Sequence, residues 1–106
     1  MITLKIGLLA RIEAKPEFAN KVESLLRDAA KLAEQEHQTV TWFSFRENAT
    51  TFGVFDTFND EHGRQSHLEG LIAAALMGAA RTMLSSLPVI TPVELLGVKI
   101  SRHSIT

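Results

Sequence analysis

Hydrophobic and polar residues alternate at the start of the chain, and this period of two predicts a β-strand over Ile2 to Ile12. From Pro16 to Glu36 the apolar residues recur at helical spacing instead, which predicts an amphipathic helix. Pro16 suits the first turn of that helix because it has no backbone N–H to leave unbonded.

Two segments rich in β-branched and aromatic residues follow, and they predict a β-hairpin formed by Val40 to Glu47 and Thr51 to Phe58. The three residues between them, 48 to 50, form the expected loop. A two-residue turn would shift the register by one residue and break the pairings that a three-residue loop gives. The three-residue loop predicts three cross-strand pairs: Phe43 with Phe55, Phe45 with Gly53, and Trp42 with Asp56.

A short helix is predicted next, capped by Asn59 or Asp60 and ending near Leu68. A second helical segment is predicted over Leu71 to Leu84, before Pro88. Its first ten residues are apolar on every side, so we expect that helix to be buried on more than one side.

Alternation returns over Val93 to Ile100 and predicts a fourth strand. The order β-α-β-β-α-β is typical of an α+β, ferredoxin-like fold with an antiparallel sheet, here as one domain over residues 1–106. The first three strands are apolar on both faces, so a monomer would expose an apolar patch of several hundred Å². We therefore expect a homodimer that packs sheet against sheet.

Composition and charge narrow the function classes. A net charge of −1 and a pI near 6.4 argue against a nucleic-acid partner, which would need a basic patch. Zero cysteines exclude disulfides, thiolate metal sites and a thiol nucleophile. The longest apolar run has ten residues, too few to span a membrane, and no signal peptide is evident, so a cytoplasmic location is predicted. The sequence has no phosphate-binding loop that could bind a flavin or nicotinamide cofactor, and no cofactor is expected.

His67, near the end of the short helix, is the leading catalytic candidate. Its neutral imidazole could take a proton from a phenol or a hydroquinone at a pH near its pKa. Alternatively, it is a partly buried histidine that bonds a carbonyl group at a helix end. His62 lies about 140° around the helix from His67, so the two cannot chelate one metal ion. His37, at a helix end, and His103, in the tail, are weaker candidates, and no metal site is expected.

Asp56 is a carboxylate inside a predicted strand, where it needs partners if it is buried. The Trp42 indole N–H or Arg46 could supply them. Asp56 would then either orient a substrate hydroxyl or a catalytic histidine, or form a structural hydrogen bond within the hairpin. A flat pocket for an aromatic ligand, or simply the core, is predicted to be lined by the large apolar residues Trp42, Phe52, Phe58, Leu71, Met77 and Met83.

The segment Phe55-Asp56-Thr57-Phe58, followed nine residues later by His67, resembles the antibiotic biosynthesis monooxygenase (ABM) domain family. That family shows an aromatic residue, an acid, any residue and a tryptophan at this strand end. A capped helix ending in histidine follows, and then an apolar helix and a final strand. The similarity in element order covers essentially the whole chain.

The resemblance implies a dimeric α+β barrel with a pocket between sheet and helices in each subunit. It also implies that His67 and Asp56 occupy the family's histidine and acid positions. Phe55 and Phe58 fall on its aromatic and tryptophan positions, but phenylalanine has no hydrogen-bonding atom. Trp42 on the neighbouring strand could replace that polar role. Haem degradation is not expected, because the asparagine and tryptophan of the haem-degrading relatives have no identified counterparts.

Some family members are cofactor-independent monooxygenases that act on quinols or polyketide phenols. The leading hypothesis is therefore a monooxygenase that oxidises a small electron-rich aromatic with O₂, using His67 as the base and Asp56 beside it. The alternative is a non-catalytic dimeric module that binds a small apolar molecule. In a third case side chains fill the pocket and no ligand binds.

Overall fold

A computed structural model of the chain describes residues 4–101. It confirms the predicted α+β, ferredoxin-like order of elements. A short 3₁₀ turn, Pro16–Phe18, precedes the first helix. The strands and helices are β1 Ile6–Glu13, α1 Ala19–Ala33, β2 Thr39–Arg46, β3 Thr51–Phe58, α2 Glu61–Leu68, α3 Leu71–Ala80 and β4 Val89–Glu94.

The four strands form one antiparallel sheet in the order β2-β3-β1-β4. The strand β1 pairs with β3 on one side and β4 on the other, and its alternation sends Leu8, Ala10 and Ile12 into the core. The predicted first strand began at Ile2, which lies outside the described residues.

The hairpin has the register that the sequence predicts. Phe43 pairs with Phe55, Phe45 with Gly53, and Trp42 with Asp56. The connection spans residues 47–50, one residue more than predicted. The Asn48 side chain closes it by accepting hydrogen bonds from the backbone N–H groups of Thr50 and Thr51.

The first helix ends three residues earlier than predicted. α1 stops at Ala33, so Glu36 lies in the turn that leads into β2, where its carbonyl accepts the N–H of Thr39. The cap of the next helix is as predicted, because the Asp60 side chain accepts the backbone N–H of Gly63.

The predictions for α3 are wrong in its length and its burial. The helix ends at Ala80 rather than Leu84, because Leu84 forms a β-bridge with Ala14 instead. Burial on more than one side is not observed, since Leu71 is 68% exposed and Met77 is 48% exposed. Among the described residues, one side of this apolar helix faces the rest of the fold, through Ile72, Leu76 and Ala79.

The fourth strand is also displaced from its predicted position. β4 covers Val89–Glu94, not Val93 to Ile100. It pairs with β1 as far as Ile6, and one more backbone bond joins the Leu95 N–H to the Lys5 carbonyl. β1 offers no further strand residue beyond that point in the described chain, so residues 95–101 form neither helix nor strand there.

The two faces of the sheet differ in what covers them. The face that contains Phe52, Val54, Asp56 and Phe58 is buried beneath the helices. The opposite face carries the exposed rings of Phe43 (57%) and Phe45 and the side chain of Val89. The sequence-based prediction that both faces are apolar is therefore correct, and one of them is open in the single chain.

Two glycine substitutions test this packing and should change the free energy of unfolding in opposite directions. Gly7→Ala should lower the free energy of unfolding by about 1–3 kcal/mol. A Cβ there would lie 2.7 Å from the carbonyl oxygen of Asp56, which the β1–β3 pairing holds in place. Gly78→Ala in α3 should raise it by up to about 1 kcal/mol, since a Cβ there meets no heavy atom of residues 4–101 within 4 Å. Guanidinium unfolding measures both, and an unchanged or higher stability for Gly7→Ala would contradict the close approach.

Candidate active site

His67 lies in the last turn of α2 and is buried, with 7% of its surface exposed. Its ring packs at a tilt against the ring of Phe58, with the two centroids 5.5 Å apart. α2 is anchored to the sheet by Arg64, whose guanidinium donates to the carbonyl of Gly7. The side chain of His67 therefore points beneath the helix layer rather than toward solvent.

Both ring nitrogens of His67 contact carboxylates. The Nε2 atom lies 2.9 Å from Asp56 Oδ2, and the Nδ1 atom lies 2.6 Å from Glu36 Oε1. The hydroxyl of Thr39 donates to the same Glu36 oxygen at 2.8 Å and fixes its orientation. The ring is thus held between β3 and the turn that precedes β2, and the side chain contacts two carboxylates rather than a carbonyl group.

Two glycines let the helices approach this turn closely. A Cβ on Gly63 would lie 3.0 Å from the carbonyl oxygen of Gln38, and a Cβ on Gly70 would lie 3.1 Å from Glu36 Oε2. Both distances are tighter than ordinary van der Waals contact. A larger residue at Gly63 would press against the backbone of this turn, and one at Gly70 would press against the Glu36 carboxylate.

The two carboxylates decide the charge of His67. Burial of the ring lowers its pKa. The hydrogen bonds and the negative charges of Asp56 and Glu36 together outweigh this effect and raise the pKa to about 9. His67 is therefore an imidazolium at neutral pH, and about one ring in a hundred is neutral at pH 7. The neutral imidazole expected from the sequence is the minor form.

Asp56 is buried, with 1% of its surface exposed, and its side-chain partner is His67, the histidine of the sequence-based hypothesis, rather than Trp42 or Arg46. Arg46 instead contacts Glu23 and the loop carbonyls of Asn48 and Ala49. Within residues 4–101, neither Asp56 Oδ1 nor Trp42 Nε1 has a hydrogen-bond partner, although both atoms are buried. This cross-strand pair therefore keeps one acceptor and one donor unused.

A small apolar cavity of about 130 Å³ lies on one side of His67, between the sheet and α3. Apart from the imidazole, its walls are apolar. They are formed by Leu8, Ala10, Val54, Leu68, Ile72, Ala73, Leu76, Met77, Pro88 and Ile90.

A more polar pocket of about 390 Å³ is also lined by His67. It lies where the ends of α1 and α2 meet the start of α3. Among its lining residues are Glu36, His37, Thr39 and Ser66. His67 therefore forms part of the wall of both spaces.

The large residues expected to line a ligand pocket are dispersed. Met77 lines the apolar cavity, whereas Leu71 lines the polar pocket. Phe52 and Phe58 are fully buried on the helix-facing side of β3. Trp42 and Met83 are half-buried and pack against the core. The cavity is formed mostly by aliphatic residues that the sequence did not single out.

Sequence reasoning did not identify Glu36 as a site residue. It was included in the predicted helix, and 31 positions separate it from His67. An acid next to a histidine at a helix end, as in Glu36-His37, is the only local signal, and it indicates no particular partner. Of the remaining histidines, His37 and His62 are exposed, and His103 lies outside the described residues.

Neither a metal-binding group of side chains nor a membrane-spanning helix is found in residues 4–101. No group of three or more histidine, cysteine, aspartate or glutamate side chains in this range is arranged to hold a metal ion. None of the helices in the same range is both long enough and apolar enough to cross a membrane.

Solved structures resemble the chain closely, although no protein-family model matches it and no curated protein does. The structure of NE2512, a protein of unknown function from Nitrosomonas europaea, has 48% sequence identity and a TM-score of 0.90, and the match covers 93% of this chain and 96% of that one.

Two other similar structures are provisionally named antibiotic biosynthesis monooxygenases. The one from Deinococcus radiodurans has 17% identity and a TM-score of 0.76, with 91% of this chain and 96% of that chain covered. The one from Caulobacter crescentus has 19% identity and a TM-score of 0.74, with 90% and 92% covered. At such identities the likeness concerns the fold. The chain therefore belongs to the family of NE2512 from Nitrosomonas europaea, and its fold is that of the antibiotic biosynthesis monooxygenases.

Proposed function

We propose that the protein is a cofactor-independent monooxygenase that binds a small electron-rich aromatic in the apolar cavity and oxidises it with O₂. The observation that carries this proposal is a buried histidine, held between two carboxylates, in the wall of a cavity that is otherwise apolar. Strongly perturbed ionisable groups beside a cavity are typical of functional sites. The names of the two similar structures support the same reaction class.

The size of the cavity narrows the substrate class. An apolar cavity of about 150 Å³ in another protein binds benzene, and this one measures about 130 Å³. A single aromatic ring therefore fits, whereas a fused polyketide would need the walls to open. We infer that a hydroquinone-like ring is the better substrate of the two classes that the sequence suggested.

The chemistry needs a base, a dry site and O₂. Oxidation of a hydroquinone to a hydroxylated quinone supplies the four electrons that O₂ takes up, and one oxygen atom enters the product while the other leaves as water. The base removes the hydroxyl proton, and the resulting anion meets O₂ in the cavity. His67 in its neutral form is the proposed base, while Asp56 and Glu36 orient its ring.

A second candidate function is binding without catalysis. Both nitrogens of His67 already contact carboxylates, and the ring is charged at neutral pH. A site of this kind could hold a small apolar molecule without acting on it. An apolar groove of about 380 Å³ between α1 and α3 is a further place where such a molecule could bind.

The open face of the sheet supports a homodimer. Phe43 and Phe45 on β2 and Val89 on β4 are exposed there, on the two edge strands of the sheet, and partly buried Phe55 of β3 lies between them. An apolar surface of this kind is commonly covered in soluble proteins. We propose that two copies pack these faces against each other, which leaves the helix side with its cavity free in each subunit.

The pKa of His67 makes the stability of the protein depend on pH. The folded protein keeps the ring proton up to a pKa of about 9, whereas the unfolded chain releases it near 6.5. Between these values the folded state binds more protons, so the free energy of unfolding should fall with rising pH, by at most about 1.4 kcal/mol per pH unit. The contribution is complete below pH 6.5 and is lost as the pH passes through 9.

Urea unfolding across this window measures the effect, with His67→Gln as the comparison. The variant should be less stable at neutral pH and should lack this part of the slope. If both proteins show the same pH dependence, the raised pKa of His67 is refuted. Ring ¹⁵N shifts titrated by NMR give the same pKa directly.

Oxygen uptake with hydroquinone and with 1,4-dihydroxynaphthalene tests the monooxygenase function. The one-ring substrate should be turned over faster, the rate should rise toward pH 9 as neutral His67 accumulates, and His67→Ala should lower it by at least about 100-fold. Equal rates in His67→Ala would remove the histidine from the mechanism. No uptake above autoxidation in the wild type would contradict the monooxygenase function.

Three adjacent alanines of α3 provide matched controls for the binding site. Ala73 lines the cavity, Ala75 lines the α1–α3 groove, and Ala74 lines neither among the described residues. Toluene binding, followed by ligand-observed NMR, should be lost in Ala73→Leu and retained in Ala74→Leu and Ala75→Leu. Loss in Ala75→Leu alone would place the ligand in the groove. Toluene binding at the cavity without any oxygen uptake would favour the non-catalytic function.

Light scattering at micromolar concentration tests the dimer. The wild type should have twice the mass of one chain, and Phe43→Glu should have the mass of one, because it places a charge within the packed faces. Leu71→Glu makes the same kind of change at an exposed position on the helix side and should remain dimeric. A monomeric wild type would contradict the proposal.

A further inference from the structure

The charged groups around His67 differ in their access to water. Asp56, from β3, faces Nε2 and is buried, with 1% of its surface exposed. Glu36, from the turn before β2, faces Nδ1 and keeps 19% of its side-chain surface exposed. Glu36 lines the polar pocket together with His37, the other titratable side chain there, while the opposite space is the apolar cavity.

We propose that Glu36 is the residue through which the buried ring of His67 exchanges protons with water. The inference rests on the proposed function in one respect only, namely that the ring must release a proton to water before its neutral form can act as the base. Glu36 acts here through His67, so it is a positioning and proton-transfer residue that does not itself contact the substrate.

The contacts support a single route for this proton exchange, through Nδ1 of the ring. The proton on Nδ1 passes to Glu36 Oε1 across 2.6 Å, which leaves a neutral imidazole and a carboxylic acid. The acid then releases the proton to water in the polar pocket and returns to the carboxylate. The Nε2 proton has no such route, because its acceptor Asp56 is buried and the nearby cavity is apolar. The Thr39 hydroxyl keeps Glu36 Oε1 aimed at the ring.

The test measures solvent exchange of the two ring protons of His67 and needs no turnover. The rates are measured by ¹⁵N-edited NMR at a pH well below the pKa of the ring. In the wild type the Nδ1 proton should exchange at least about tenfold faster than the Nε2 proton, since a buried donor exchanges only through local opening. The ratio of the two rates is taken within one ring, so a change in the ring's acidity in a variant largely cancels.

Glu36→Gln should reduce that ratio toward one, and the shorter Glu36→Asp should reduce it in part while keeping the charge. Glu34→Gln makes the same charge change at an exposed position near the end of α1 and should leave the ratio unchanged. A ratio near one in the wild type would overturn the proposal, and so would an unaltered ratio in Glu36→Asp. The Glu36→Asp result decides the test even if Glu36→Gln fails to fold. A failed oxygen-uptake assay alone would overturn only the proposed function.

Discussion

The register of β3 between its two neighbours determines which side chains lie beneath the helices. Asp56 is paired with Leu8 of β1 and Trp42 of β2, and this pairing places it on the covered face. Because side chains alternate along a strand, a slip of one residue would turn Asp56 toward the open face and bring Thr57 in. His67 would then lose the acceptor of its Nε2 proton, and Phe55 would turn from the open face to the covered one. The site and the proposed dimer surface therefore depend on the same constraint.

Full burial of His67 and Asp56, with partial burial of Glu36, is a costly way to attach a helix to a sheet. Removing charges from water costs several kcal/mol per ion, and well-packed apolar residues often replace a buried ion pair without loss of stability. Two short hydrogen bonds between the ring and the carboxylates, and a third from Thr39, offset that cost here. Retention of the charged group beside an apolar cavity is therefore better explained by chemistry or binding than by stability.

Local patterns predicted the hairpin well, because the register follows from the alternation of Trp42 and Phe43 against Asp56 and Phe55. Element ends set by distant contacts were not predictable in this way. The bridge from Leu84 to Ala14 shortens α3, and the length of β1 limits β4. Glu36 could not be recognised because its role depends on where α1 ends and on how closely α2 approaches the following turn. The sequence thus identified the histidine and one of its carboxylates, but neither the second carboxylate nor the resulting positive charge.

The positive charge of His67 would couple ligand binding in the apolar cavity to the proposed reactivity of the ring. An apolar ring that fills the cavity would exclude water from that side of His67, and loss of solvation disfavours the charged form of an imidazole. Ligand binding should therefore lower the pKa of His67 from its value of about 9 and increase the neutral fraction. By linkage, the ligand would bind more tightly as the pH rises, and its binding would release a proton. The contact that holds the ligand would then also generate the base, and Glu36 provides a route by which the released proton can reach water.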